Sequence, residues 1–204
     1  MRDDEVIRAA DEHGLAMFGG RAVIDLVERD LMAAAPRITL KPATRADFAL
    51  IRRWLARPDV QDWWGPVSAT EAEVNMALAS GHALCRLIEA DGEPVGYAHA
   101  VDATLWGDNL PEELEPGTWD LDLFVAAEEH RGKGVGQAAL ALLRDEVFAT
   151  TLAVAVCVFP SVKNERAVRA YEKAGFRWQR VWHDPQTGPA WFMIARRPGA
   201  PAAR

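Results

Sequence analysis

Between residues 131 and 136 the chain reads Arg-Gly-Lys-Gly-Val-Gly, a turn set between the apolar run Leu121–Ala126 and the helix formers Gln137–Leu143. This order predicts a strand, a tight turn and the start of a helix running to about Phe148. Glycine at alternate positions admits positive φ angles and removes the β-carbons that would hold a ligand away from the backbone. The first helical turn has N–H groups without intrahelical partners at the positive end of the helix dipole. Arg131 and Lys133 add two cations. Such a turn suits a phosphate or pyrophosphate. Two familiar phosphate loops do not fit. A Walker A loop needs Ser or Thr after Gly-Lys, where Gly134 stands. A dinucleotide fold wants an acid ending the next strand, and that strand, Leu152–Val158, closes on Phe159-Pro160. An ordinary tight connection with two solvated basic residues is the plainer reading.

The rest of the chain builds a sheet around this turn. A strand at Ile38–Ala43 precedes a helix from Arg45 to Ala56 capped by Thr44. A loop at Asp59–Pro66 carries Trp63 and Trp64, and Ser68 with Glu71 forms a capping box for the next helix. Strands Ala83–Ala90 and Pro94–Ala103 join through Asp91-Gly92, a strong hairpin signal. After a long acidic loop, Thr104–Gly117, comes the strand Trp119–Ala126. A helix at Asn164–Ala174 stops at Gly175, and Phe176–Trp182 pairs with Ala190–Ala195 as a final hairpin. Hairpins at both ends around one strand–helix–strand–helix unit give a mixed α/β sheet. Residues 1–36 have apolar positions at helical spacing, divided by Gly19-Gly20, and read as a helical extension; residues 198–204 read as a flexible tail.

Charge and cysteine content narrow the partners. A net charge of −7 over 204 residues argues against nucleic acid, which needs a basic surface. No apolar run approaches a membrane span, and the acidic N-terminus is unlike a secretory or mitochondrial signal, so a cytoplasmic location is expected. Cys85 and Cys157 sit in strand-like stretches as reduced, buried thiols, and no spacing suggests a metal. Asp120 and Asp122, two apart on a strand, share one face, with Leu121, Leu123 and Val125 on the other. That pair is either a solvated strand face or an acid pair for a cationic ligand. Asp102, Asp108, Glu112, Glu113 and Glu115 precede it with no Lys or Arg among them, a stretch that would attract a polyamine-like or aminoglycoside-like molecule.

The order of these pieces resembles the GNAT superfamily of acyl-CoA-dependent N-acyltransferases. Arg131-x-x-Gly134-x-Gly136 is similar to its pyrophosphate loop, and Asn164-x-x-Ala167-x-x-x-Tyr171-x-x-x-Gly175-Phe176 to its second signature. Within the superfamily the chain is most similar to aminoglycoside 6'-N-acetyltransferases, a group tied to antibiotic resistance. It shares their Trp63-Trp64-Gly65 segment, the Gly92–Tyr97 hairpin and an aspartate at Asp122. It departs at Phe159, where those enzymes carry an aspartate that lines the antibiotic site.

The resemblance implies a mostly antiparallel central sheet flanked by helices over residues 37–197. It also implies acetyl-CoA as the acyl donor, no metal, and acetyl transfer to a primary amine of a small cationic acceptor by direct attack in a ternary complex. Asp122 would be the base and Asp120 a substrate anchor. Tyr171 would protonate or hydrogen-bond the departing thiolate, with a core aromatic as its alternative, and Asn164 would contact the pantetheine arm. Backbone N–H groups of Arg131, Gly132, Lys133, Gly134, Val135 and Gly136 would hold the pyrophosphate, and backbone groups of Phe124 and Val125 the pantetheine amides. Trp63 and Trp64 would wall the acceptor, unless one of them belongs to the core. An acyltransferase of siderophore or other secondary metabolism, and a CoA-binding sensor without turnover, are the competing readings. Arg177-Trp178 and Trp191-Phe192 are either a homodimer face or core.

Overall fold

A computed structural model describes residues 35–105, 110–184 and 188–199. The helical extension expected before Ala35, and most of the C-terminal tail, lie outside the described residues. Seven strands form one sheet: β1 (Ile38–Pro42), β2 (Ala83–Ala90), β3 (Glu93–Asp102), β4 (Thr118–Val125), β5 (Ala155–Val158), β6 (Arg177–Asp184) and β7 (Gly188–Arg196). Their spatial order is β1-β2-β3-β4-β5-β7-β6. Every pairing is antiparallel except β4 with β5, so the mixed, mostly antiparallel sheet is as expected.

Strand alternation sorts side chains onto two cores. On one face Leu87, Tyr97 and Phe124 pack under α1 (Phe48–Leu55), α2 (Pro58–Trp64) and α3 (Val67–Ala79). On the other, Ile88, Ala98, Ala100 and Leu121 pack under α4 (Val135–Thr150) and α5 (Glu165–Lys173), through Leu140, Leu143, Val147 and Tyr171. The β2–β3 hairpin turns on Asp91 and Gly92 with φ of 52° and 89°, the left-handed pair that a two-residue turn needs. Phe192 is buried and Trp191 half-buried, whereas Arg177 and Trp178 are exposed, with Trp178 packed edge-on against Trp191.

Three local expectations are corrected. The Asp59–Pro66 segment is a helix through Trp64, because Pro58 sits at the start where a missing N–H costs nothing, and Gly65 (φ 92°) ends it. Ser68 lies inside α3, whose N-cap is Pro66, and Glu71 accepts from Arg52 at 2.9 Å instead of completing a capping box. The strand expected from Leu152 begins only at Ala155, and Leu152 is 96% exposed. The intervening residues turn because Arg197 donates to the carbonyls of Phe148, Thr151 and Ala153, tying up the end of α4. Thr44 does cap its helix as expected: its hydroxyl accepts from Ala46 N–H while Asp47 accepts Thr44 N–H at 2.8 Å.

Gly96 sets how closely β3 and β4 approach. A β-carbon there would lie 2.2 Å from the carbonyl oxygen of Phe124. Gly96→Ala is expected to reduce stability by about 1–3 kcal/mol, seen as a lower denaturant midpoint at unchanged slope; an unmoved midpoint would show that the strands part without cost.

Candidate active site

The decisive geometry lies between β4 and β5. β4 pairs with β3 from Trp119 to Val125, but with β5 only over Thr118–Asp120. Beyond Asp120 the two strands separate, and a cavity of about 520 Å³ opens through the gap. Its walls include Asp120 and Asp122 from the α1–α3 face, Tyr171 from the α4–α5 face, and the glycine turn at one end. The opening connects the two faces of the sheet.

At the turn, Gly132 and Gly134 take φ of 78° and 82°, and Gly134 is the N-cap of α4 with no side chain closing its first N–H groups. Those groups are left for a ligand with acceptor oxygens. The two-cation reading needs correcting. Arg131 turns inward, donating to the carbonyls of Val125 at 2.7 Å and Ala126 at 3.2 Å and pairing with Asp59. Asp59 also accepts from Arg57, and the hydrogen bonds of the two arginines hold its carboxyl down at about 2. Lys133 remains exposed. Arg166 from α5 stands beside Gly132 on the cavity wall, a second cation that the sequence did not single out.

Along the open edge, Leu123 accepts from Trp64 Nε1 at 3.3 Å and Val125 from Arg131, so the odd-numbered residues present their backbone there. Ala126 donates to Val95, and strand alternation turns Phe124's backbone toward β3 in the same way. Of the two backbone positions expected to meet a pantetheine arm, Val125 lies on the open edge and Phe124 does not.

Asp120 and Asp122 are not a solvated face. Both are half-buried in the cavity wall, and both pKa values are pushed up to about 7, first by burial and then by the negative charge of Glu73. For Asp122, His99 opposes the shift and Asp120 adds to it. Asp122 Oδ1 accepts Leu123 N–H at 2.9 Å, and Cys157 Sγ lies 3.9 Å from Asp120 Oδ1. A carboxylate poised near neutrality can bind an ammonium group and accept its proton. Tyr171 is 8% exposed and lines the cavity; burial, with the charges of the two aspartates, raises its pKa well above the usual phenol. It therefore stays protonated as a donor. Asn164 caps α5 by accepting Ala167 N–H at 3.1 Å, and its side chain also borders the cavity.

The two tryptophans divide their labour. Trp64 packs edge-on against Tyr97, His99 and Phe124 and belongs to the core, whereas Trp63 is 50% exposed at the cavity lip. Across from them Phe159 stacks on Phe192 with ring centroids 5.4 Å apart and rests against Trp182, giving that wall an aromatic surface. The acidic loop is less available than its composition suggests. Glu113 is paired with Arg180, which holds its carboxyl down at about 2, and Glu115 is paired with Arg196. Asp102 accepts from Thr104; Asp108 lies outside the described residues. Sequence reasoning missed His99 and Glu73. His99 stands opposite Asp122 in the β3–β4 register, and that alignment crosses the 103–117 connection, which leaves no trace in local spacing.

The pattern of the family described as acetyltransferase (GNAT) domain matches residues 43–183. The chain belongs to this family. An aminoglycoside N(6')-acetyltransferase type 1 of Klebsiella pneumoniae is 34% identical over 168 residues, covering 78% of this chain and 83% of the relative. A kanamycin resistance protein of Rhizobium radiobacter is 36% identical over 86 residues, covering 42% of this chain and 79% of that protein. The crystal structure of aminoglycoside acetyltransferase AAC(6')-Ib in complex with coenzyme A superposes with a TM-score of 0.71 at 32% identity, covering 79% of this chain and 96% of that one. The GNAT domain is thus that of an acetyl-CoA-dependent acyltransferase, and no helix among the described residues is long and apolar enough to cross a membrane.

The raised carboxyl pKa values have a thermodynamic signature. Folding moves Asp122 from 3.8 to about 7, so the folded state binds its proton more tightly than the unfolded state does. The resulting stability is complete below the unfolded value and is lost as pH rises through about 7. Asp122→Asn, which cannot ionise, should gain thermal stability over the wild type on going from pH 5.5 to 8.5. A gap that stays constant would mean that Asp122 titrates alike in both states.

Proposed function

We propose that this acyltransferase acetylates a primary amine of a small cationic acceptor, aminoglycoside-like or polyamine-like, by direct attack on acetyl-CoA in a ternary complex. The observation that carries this reading is the meeting, at the β4–β5 gap, of Asp120 and Asp122 from one face with Tyr171 from the other. The relatives supply the substrate class: AAC(6')-Ib has been crystallised with coenzyme A and kanamycin. A spermidine N-acetyltransferase of Vibrio cholerae, solved with CoA and spermine, shares the fold at 16% identity and a TM-score of 0.62.

A primary alkyl amine titrates near 10.4, so reaching its neutral form at pH 7 costs roughly 4.6 kcal/mol. Asp122 offsets this by holding the ammonium group and taking its proton, and Asp120 anchors the same cation. Acetyl-CoA, when bound, supplies the acyl thioester. The uncapped N–H groups from Arg131 to Gly136 fit its pyrophosphate, Val125 and Asn164 border the path of its arm, and the Tyr171 hydroxyl, which has no hydrogen-bond partner among the described residues, is free to protonate the departing thiolate. Trp63 and Phe159 offer aromatic faces to the acceptor body, favouring one with an apolar ring face beside its amine. A cytoplasmic location completes the reading.

The test is thiol release from acetyl-CoA with kanamycin, spermidine, lysine derivatives and hydroxylamines. Asp122→Asn should lower turnover by about 10²–10⁴-fold with acetyl-CoA affinity little changed. Full activity in that variant would remove Asp122 from the mechanism, and release with none of the amines would sink the acetyl-transfer reading. Tyr171→Phe should slow turnover while leaving the KM for the acceptor near its wild-type value.

A further inference from the structure

Acetyl transfer from a thioester to an ammonium ion leaves a proton over. As the C–N bond forms and the C–S bond breaks, the nitrogen gives up two protons; the thiol keeps one and the other must leave the protein. If the cavity works as proposed above, the donor and the acceptor fill its mouth during the reaction, and the proton needs another way out.

The back of Asp122 provides one. His99 on β3 is its direct cross-strand partner on the same face, a relation that sets β-carbons about 4.5–5.5 Å apart. His99 is 2% exposed, and its Nδ1 is buried without a hydrogen-bond partner among the described residues. Its other nitrogen, Nε2, lies 3.5 Å from Oε1 of Glu73 on α3, and the Glu73 side chain is 35% exposed. Trp64 packs edge-on against the imidazole and helps fix its plane. A buried ring with one open nitrogen and the other against a water-reaching carboxylate is the arrangement of a proton conduit.

We propose that His99 and Glu73 are positioning residues behind Asp122 that carry its proton to solvent, the imidazole gaining a proton on the Asp122 side and releasing one to Glu73. The balance is simple: no bond other than N–H and O–H changes, and Asp122 returns to its ionised form for the next amine. The other groups that face the pair are the Tyr97 hydroxyl from β3, Cys85 from β2 (opposite His99 in the β2–β3 register, its thiol raised by burial), Asp120 from β4 and Tyr171 from α5, with Cys157 of β5 beside Asp120. Tyr97 and Tyr171 have pKa values raised far above the working range, and burial raises the Cys157 thiol as well. The imidazole is the group that stands between Asp122 and Glu73.

His99→Gln and Glu73→Gln separate this role from a structural one. Carbon-13 NMR of the Asp122 carboxyl should show its titration midpoint moving up in His99→Gln and down in Glu73→Gln, since His99 favours the ionised carboxylate and Glu73 opposes it. Turnover with whichever of kanamycin or spermidine the wild type accepts should nevertheless fall in both variants, by about 10²-fold, at unchanged KM for acetyl-CoA. The fall in Glu73→Gln is diagnostic. With its Asp122 more readily ionised, that variant would be as fast as the wild type, or faster near neutral pH, if Glu73 were only an electrostatic neighbour. Imidazole in solution should restore part of the activity of His99→Ala. Wild-type turnover in Glu73→Gln, or carboxyl midpoints that move in neither variant, overturns the proposal. If His99→Gln does not fold, Glu73→Gln decides alone, its site being partly exposed on α3. Failure of the wild type on every amine would instead strike the acetyl-transfer reading, and the carboxyl midpoints would still decide the coupling.

Discussion

Everything distinctive about this protein follows from backbone hydrogen bonds that β4 and β5 do not make. A sheet gains by pairing every strand along its length, and unpaired N–H and C=O groups inside a protein are costly. Here pairing stops after Asp120. The exposed edge is repaired piecemeal by side chains, with Trp64 on the Leu123 carbonyl, Arg131 on that of Val125 and Asp122 on the Leu123 N–H. The remaining gap is the site. It lets residues from opposite faces of one sheet meet, which an intact sheet forbids.

The features legible in the sequence were those carried by local chemistry. The glycine turn, the Asp91-Gly92 hairpin, the Thr44 cap and the helix closed by Asn164 and Gly175 each depend on residues within a few positions of one another. Two of the three misread segments were settled by distant partners, whereas the helix at Pro58–Trp64 is set by Pro58 and Gly65 at its own ends. Arg197 ends α4 from 46 positions beyond Thr151 and delays β5, while Arg52 diverts Glu71 from its expected cap. The site shows the same division. Spacing placed Asp120 and Asp122 on one face, yet neither their burial nor the charge of Glu73 beside them could be read without the β3–β4 register and the position of α3. Arg131 looked like a free cation for the same reason, its acidic partner Asp59 lying 72 residues earlier.

Charge is distributed with a consistent logic. Two of the loop glutamates are paired with β6 and β7 arginines, while Asp120 and Asp122 line the cavity between β4 and β5. The stacked Phe159 closes the opposite wall with rings instead of a further acid. A cation entering this cavity therefore finds a short-range and directional attraction at its floor. Selection among amines then rests on what surrounds the reacting nitrogen as much as on how many charges the molecule carries.

The tie between Arg131 and Asp59 joins two parts of the cavity wall. One end belongs to the turn before α4, and the other to the helix that carries Trp63. One guanidinium thus ties the turn to the helix of the lip while also gripping the end of β4. On the function proposed above, a donor that moved the turn would move the lip with it, and binding would be ordered. The half-exposed indole of Trp63 stands where its fluorescence would register the first step before any chemistry occurs.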